Sequence, residues 1–283
     1  MLRIIDANIN RICEGLRVIE EVMRFEFNDS YFSKSLKEIR HSIRKKFNSI
    51  DYLIERDSLN DCGKNSDKIE EKRDSLFDIL KANFLRVEEG LRVIEESIKL
   101  EKRFFENLSM IKSVRFKIYD LEKNIILKYF TFNRLKNYGI IKILNERDVI
   151  FNSIKENNLS AIQLESGKNN IDILNNIIDF CKKNEILTFI KNNLELAIIL
   201  KSDGIVIDEG YYSFSMIRKN YKKIIGYIVD KGDIPLDADF FIIKDIKSIP
   251  VLMNKNKILL VSENDYEMID KNFREIVNKY KII

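Results

Sequence analysis

A fifteen-residue stretch that occurs twice constrains this chain more than any other feature. Ala7-Asn8-x-x-Arg11-x-x-Glu14-Gly15-Leu16-Arg17-Val18-Ile19-Glu20-Glu21 returns as Ala82-Asn83-x-x-Arg86-x-x-Glu89-Gly90-Leu91-Arg92-Val93-Ile94-Glu95-Glu96, with eleven of fifteen positions identical and each pair 75 residues apart. The same offset pairs Lys37 with Lys112, Arg40 with Arg115 and Ile43 with Ile118. A unit of roughly 45 residues is therefore read twice, as an internal duplication.

Both copies carry a helical period. Ile5, Ile12, Leu16, Ile19 and Met23 fall on one face of a 3.6-residue helix, and Leu80, Val87, Leu91, Ile94 and Ile98 repeat that face. Up to about residue 130 there is no proline. Each long helix is followed by a break, at Phe27 to Ser30 and at Lys102 to Asn107, and then by a second helical run near 31–50 and 107–130. Asn28, Asp29 and Ser30 are N-cap residue types for the first of these runs. The simplest arrangement is two helical hairpins about a pseudo-twofold axis, a four-helix bundle. Between them lies the polar loop Glu55 to Lys64, long for a compact bundle.

From about residue 139 short apolar runs alternate with helical or turn-like stretches. Candidate strands are Ile140–Leu144, Ala161–Glu165, Leu187–Lys191, Gly204–Ile207, Ile224–Val229, Phe240–Lys244, Pro250–Met253 and Ile258–Val261, with a closing helix over 264–281. Runs apolar on both faces imply a parallel sheet. The expected fold class is thus α plus α/β: a helical bundle built from a duplicated hairpin over 1–132, then a small, reduced (β/α)8 TIM-like barrel over 137–283.

Composition excludes several functions. The 49 basic residues are interleaved with 45 acidic ones, so the net charge of +4 makes no nucleic-acid footprint. Neither a signal-peptide pattern nor a long uncharged apolar run is present, so a cytoplasmic location without membrane contact is expected. Cys13, Cys62 and Cys181 have neither disulfide nor zinc spacing.

Gly15 and Gly90 each cost a helix about 1 kcal/mol relative to alanine, so a partner helix or a ligand must approach the backbone there. Arg17, Glu20 and Glu21 have the spacing of a surface ion-pair ladder. Asn8 and Arg11 border the apolar stripe and are doubled at Asn83 and Arg86. With Arg40 and Arg115 they could converge four guanidiniums, which would need anions: either the repeated glutamates or a phosphorylated ligand. The loop Arg56-Asp57…Asp61-x-Gly63 has the composition of a phosphate and Mg²⁺ site, with carboxylates for a hard cation and glycine for backbone approach. His41 is the single histidine.

These residues, in this order, resemble the alternative hydroxymethylpyrimidine phosphate kinase family of thiamine biosynthesis. The resemblance runs over about residues 1–125 and rests on Arg3 to Glu20, Arg40-His41, the Arg56 to Gly63 loop and the second repeat copy. In that family the domain is often fused to thiamine phosphate synthase, and the second half of this chain looks like that partner through Ala161-Ile162-Gln163-Leu164, Lys191-Asn192-Asn193 and Ser202-Asp203-Gly204-Ile205. It departs from the synthase pattern with Glu165, Ser166 and Gly167 in place of a basic diphosphate-binding pair, and with Asn193 where a carboxylate is expected.

The resemblance implies an ATP- and Mg²⁺-dependent phosphomethylpyrimidine kinase, and the departures in the second half lead to the expectation of an inactive barrel. Arg56, Asp57, Asp61 and Arg73 would be catalytic, with Asp57 and Asp61 holding Mg²⁺. Asn8, Arg11, Arg40, His41, Gly63, Asn83, Arg86 and Arg115 would bind the pyrimidine phosphate and ATP, in a homodimer. Two alternatives are thiamine phosphate synthase activity in the barrel, and a non-catalytic pyrimidine- or thiamine-phosphate-binding protein.

Overall fold

The computed structural model describes residues 1–57, 73–100, 102–138, 141–145, 160–165, 171–230, 234–235, 237–252, 257–262, 265, 268 and 277–282. They form two compact units, Met1–Ile126 and Leu127–Ile283.

The first unit is helical. Helix α1 (Leu2–Glu21) continues through a π-helical turn, Val22–Glu26. Helix α2 (Ser30–Lys46) starts at Asp29, whose carboxylate accepts a 3.0 Å hydrogen bond from the backbone N–H of Phe32. A short α3 (Asp51–Ile54), the long α4 (Leu76–Leu100), a 3₁₀ segment (Lys102–Asn107) and α5 (Leu108–Tyr138) follow.

The apolar stripes of α1 and α4 are buried, and so are Leu36, Ile39 and Ile43 of α2 with their counterparts Ile111, Val114 and Ile118 of α5, again at the 75-residue offset. Helices α1 and α4 meet at the two repeated glycines. A Cβ at Gly15 would lie 2.9 Å from Val87 Cγ2 and 3.1 Å from the Asn83 carbonyl oxygen, and one at Gly90 would lie 2.7 Å from Ile12 Cγ1. It is a partner helix that approaches this backbone.

The second unit is a closed parallel barrel of eight strands in sequential order. They are β1 (Ile141–Asn145), β2 (Ala161–Glu165), β3 (Leu187–Lys191), β4 (Gly204–Ile207), β5 (Ile224–Val229), β6 (Phe240–Ile243), β7 (Ile258–Ser262) and β8 (Val277–Ile282). Helices α6 (Ile171–Lys183), α7 (Leu194–Ile199), α8 (Phe214–Asn220) and α9 (Ile249–Leu252) cover it among the described residues.

Strand alternation sends Ala161, Leu187, Phe189, Val206, Ile224, Ile228, Phe240, Ile242, Ile258 and Leu260 into one interior cluster, joined by Leu135 from the end of α5. Phe189 and Phe240 meet edge to face with ring centroids 5.3 Å apart. Their bulk is accommodated by Gly204 and Gly226, since any Cβ at those positions would enter a phenyl ring.

The fold expected from the sequence is corrected in both units. The first is not a plain pair of hairpins, because α1 runs into a π turn and the described residues add α3 and a 3₁₀ segment. In the second, Pro250 belongs to α9 rather than to a strand: proline is tolerated in a first helical turn, where its missing N–H is not needed. Residues 277–281 of the expected closing helix form β8 instead, which pairs with β7 on one side and β1 on the other, while nearly all of 264–276 lies outside the described residues. That strand supplies the barrel's closure.

Candidate functional site

In the first unit the two repeat copies form a groove of 910 Å³ over the α1/α4 crossing, lined by Asn8, Arg11, Glu14, Gly15 and, from the second copy, Arg86, Glu89, Gly90, Arg92 and Val93. Asn8 and Asn83 are buried and donate from Nδ2 to the carbonyl oxygens of Ile4 and Ile79, each at 2.8 Å, so both amides are tied to their own helices. Arg11 and Arg86 are exposed and make no hydrogen bond or ion pair among the described residues.

Arg40 and Arg115 do not join them. Arg40 donates from Nε and Nη2 to the buried Glu20 carboxylate at 3.1 and 2.8 Å, and Arg115 donates from Nε to the buried Glu95 at 2.9 Å. Arg17 and Arg92 add pairs to Glu20 and Glu21, and to Glu95 and Glu96. The expected convergence of four guanidiniums is therefore reduced to two, because the repeated glutamates neutralise the others across helices.

The remaining expected residues are dispersed. His41 lies in a separate groove of 790 Å³ with Glu20, Arg24, Asp29 and Lys37. Arg56 forms a bidentate pair with Asp6, both contacts at 2.7 Å, and the Asp57 carbonyl oxygen accepts from Arg3 Nη2 at 2.7 Å. Arg73 is exposed, whereas Asp61 and Gly63 lie outside the described residues. Among the described residues no three His, Cys, Asp or Glu side chains cluster to hold a metal ion.

The second unit offers a different constellation, at the end of the barrel where the strands terminate. Gln163 points inward from β2, level with Phe189 in the strand register, is fully buried, and neither its Oε1 nor its Nε2 has a hydrogen-bond partner. One alternate step further along the strands, Glu165 stands opposite Lys191, and Lys191 Nζ lies 3.1 Å from Glu165 and 4.0 Å from Asp208.

Asn192 fixes Asp208 in place. It sits at a left-handed φ of 47°, which asparagine tolerates, donates from Nδ2 to Asp208 Oδ1 at 2.6 Å, and accepts the Asp208 backbone N–H at 3.1 Å. Asn193 is occupied as the N-cap of α7, accepting from Leu196 N–H at 2.9 Å. Sequence reasoning does not single out Gln163, Lys191 or Asp208 as site residues. The available signal is a polar residue at an inward position of an otherwise apolar strand.

Residues 3–124 match the ThiD2 family. Over 239 residues the chain is 31% identical to a protein of Prochlorococcus marinus subsp. pastoris named thiamine-phosphate synthase, covering 79% of this chain and 67% of that one. The chain belongs to the thiamine-phosphate synthase family. It thus spans about two thirds of that relative's length. A second synthase of this name, from Nostoc punctiforme, is 39% identical over 126 residues, which are 44% of this chain and 35% of the relative. A solved structure titled thiamine phosphate pyrophosphorylase from Pyrococcus furiosus aligns with 52% of this chain and 87% of its own, at 12% identity and a TM-score of 0.42.

These relatives overturn the expectation of an ATP-dependent phosphomethylpyrimidine kinase. The proteins matched over most of the chain, and the one matched over 126 residues, are named synthases, not kinases. The kinase assignment, the use of ATP and the inactive barrel that accompanied it are withdrawn. No helix among the described residues is long and apolar enough to cross a membrane.

Proposed function

We propose that this chain is a thiamine-phosphate synthase, joining hydroxymethylpyrimidine diphosphate to thiazole phosphate at the strand-end mouth of the barrel. The observation that carries this reading is Gln163, a fully buried amide with no partner on either polar atom. Leaving such a group unsatisfied costs about 1–3 kcal/mol, so a side chain of this kind calls for a ligand. Its paired donor and acceptor match the amino group and ring nitrogen of an aminopyrimidine, and the apolar layer of Phe189 and Phe240 beside it keeps water from that end of the substrate.

The reaction breaks the bond between the pyrimidine methylene carbon and the diphosphate oxygen and forms one from that carbon to the thiazole nitrogen. The bonding electrons leave with diphosphate, so the leaving group gains negative charge and must meet positive charge at the mouth. Lys191 supplies one cation there. Glu165 and Asp208, on either side of it, suit Mg²⁺, which binds through one or two carboxylates together with substrate phosphates. Such an ion would neutralise the departing diphosphate. Asn192, by holding Asp208, is a positioning residue for this arrangement.

The test is thiamine phosphate formation by the purified full chain from the two substrates with Mg²⁺ alone, without ATP. Gln163→Leu, which keeps the size and removes the amide, is expected to raise the KM for the pyrimidine substrate by roughly tenfold or more, the equivalent of one lost buried hydrogen-bonded pair. If the wild-type chain forms no product at saturating substrates, the reading is wrong.

A further inference from the structure

The α1/α4 groove belongs to the first unit and contains none of the residues assigned to the reaction proposed for the barrel. Within the repeat the arginines fall into two kinds. Arg17 and Arg92 pair with the glutamate three residues on, at 3.0 and 3.1 Å. Arg40 and Arg115 pair with those same buried glutamates from other helices. Arg11 and Arg86 also have a glutamate three residues on, Glu14 and Glu89, yet among the described residues they pair with nothing. They are the repeated arginines without partners, and both line the same groove.

Two like charges brought to one groove and left without an ion pair among the described residues are an arrangement that an anion stabilises. Gly15 and Gly90, where α1 and α4 approach most closely, line the same groove. The third arginine lining it, Arg92, is already neutralised by Glu95 and Glu96.

We infer that this groove is a second anion site, built for a linear diphosphate group whose two phosphoryl ends are each met by one guanidinium, Arg11 from the first repeat copy and Arg86 from the second. The two copies face each other reciprocally, Gly15 against Asn83 and Gly90 against Asn8, so each contributes one equivalent arginine to the two equivalent ends of a diphosphate. A single orthophosphate engages only one of them. Glu14 and Glu89, flanking the arginines, disfavour a more highly charged polyanion and leave acceptors for donor groups on a diphosphate ester.

Calorimetric titration of the full chain with inorganic diphosphate, in EDTA so that carboxylate-bound metal contributes nothing in the barrel, tests the assignment. Arg11→Met and Arg86→Met are each expected to weaken binding by roughly tenfold or more and by similar factors, as expected for loss of one charge-assisted contact, and the double variant to abolish it. The comparison is made in a Lys191→Met background, so that the cation of the barrel mouth contributes nothing either, and there orthophosphate should bind at least about tenfold more weakly than diphosphate. Because both arginines are exposed, the variants keep the wild-type circular dichroism.

Absence of diphosphate binding by the wild type, binding that survives the double variant, or dependence on only one arginine would overturn the assignment. So would a double variant that alters the oligomeric state while binding diphosphate normally, which would make the groove an interface between copies. Synthase turnover is scored separately, so loss of one reading does not carry the other with it.

Discussion

Replacing the crossing glycines should reverse the usual effect of glycine-to-alanine substitution in a helix. On an exposed helix this exchange stabilises by about 1 kcal/mol. At Gly15 the new methyl would lie 2.9 Å from Val87 Cγ2 and 3.1 Å from the Asn83 carbonyl oxygen; at Gly90 it would lie 2.7 Å from Ile12 Cγ1. Carbon atoms rest about 3.5–4.0 Å apart, so α1 and α4 must separate by roughly half to one ångström. A gap of that size forfeits about a quarter to a half of each dispersion contact along the crossing, and overpacking of this kind costs about 1–3 kcal/mol. After the propensity gain is subtracted, Gly15→Ala should lose about 0–2 kcal/mol instead of gaining about 1. Gly90→Ala should lose somewhat less, since Ile12 is a side chain with some freedom to turn, whereas the Asn83 carbonyl belongs to the helix itself. Urea unfolding followed by far-ultraviolet circular dichroism, fitted with a separate transition for the helical unit, measures this directly. A gain of about 1 kcal/mol in either variant would show that the helices do not meet closely at these glycines, and would refute the account of why the repeat carries them.

Two further perturbations probe buried charge. Asp239 is held by Lys128 at 2.6 Å, Arg218 at 2.6 Å and the Ile225 N–H at 2.7 Å. Burial pushes its carboxyl pKa up, but Arg218, Lys128 and Lys257 more than offset this and hold it well below the ordinary carboxylate range. Asp239→Asn should destabilise the barrel by about 3–5 kcal/mol, since two buried cations lose their partner; thermal unfolding with little change would disprove a structural role for the cluster. Burial, together with Glu122 and then Glu89, raises the Glu88 pKa from 4.5 to about 7. The folded chain therefore keeps a proton that the unfolded chain releases between those values, so the helical unit should lose stability as pH rises from 4.5 toward 7. Glu88→Gln should flatten that slope and add roughly 1 kcal/mol at pH 8, a partly exposed site being discounted for screening; an unchanged pH profile of urea midpoints would exclude Glu88 as its source.

The helical stripes of α1 and α4 are legible because a 3.6-residue period sustained over five turns and repeated at a fixed offset leaves little ambiguity. The apolar runs of β2 to β5 are legible because strands buried on both faces contain little else. Strand β8 is not, since Val277 to Ile282 mixes lysine and asparagine with apolar residues in a spacing that a helix also accommodates. Its identity comes from the two neighbours it joins. At the sites, repetition alone cannot separate Arg11 from Arg40: both are doubled, and only the fold reveals that Glu20 lies against one of them. Gln163 is visible as an amide in an apolar strand, but that it lacks a partner is a property of the closed barrel.

Leu135, six residues before the first strand begins to pair, is fully buried inside the barrel cluster with Phe132 packed beside it, and Lys128 reaches the buried Asp239. The barrel's floor is thus encoded upstream of its first strand. A chain cut just ahead of Ile141 would keep all eight strands while losing the stopper that seals their lower end and one of the cations that neutralises Asp239. Anyone grafting this barrel onto another protein must carry the last turns of α5 with it, and a recombination event that joined the two units at the start of the sheet would have delivered a leaking core.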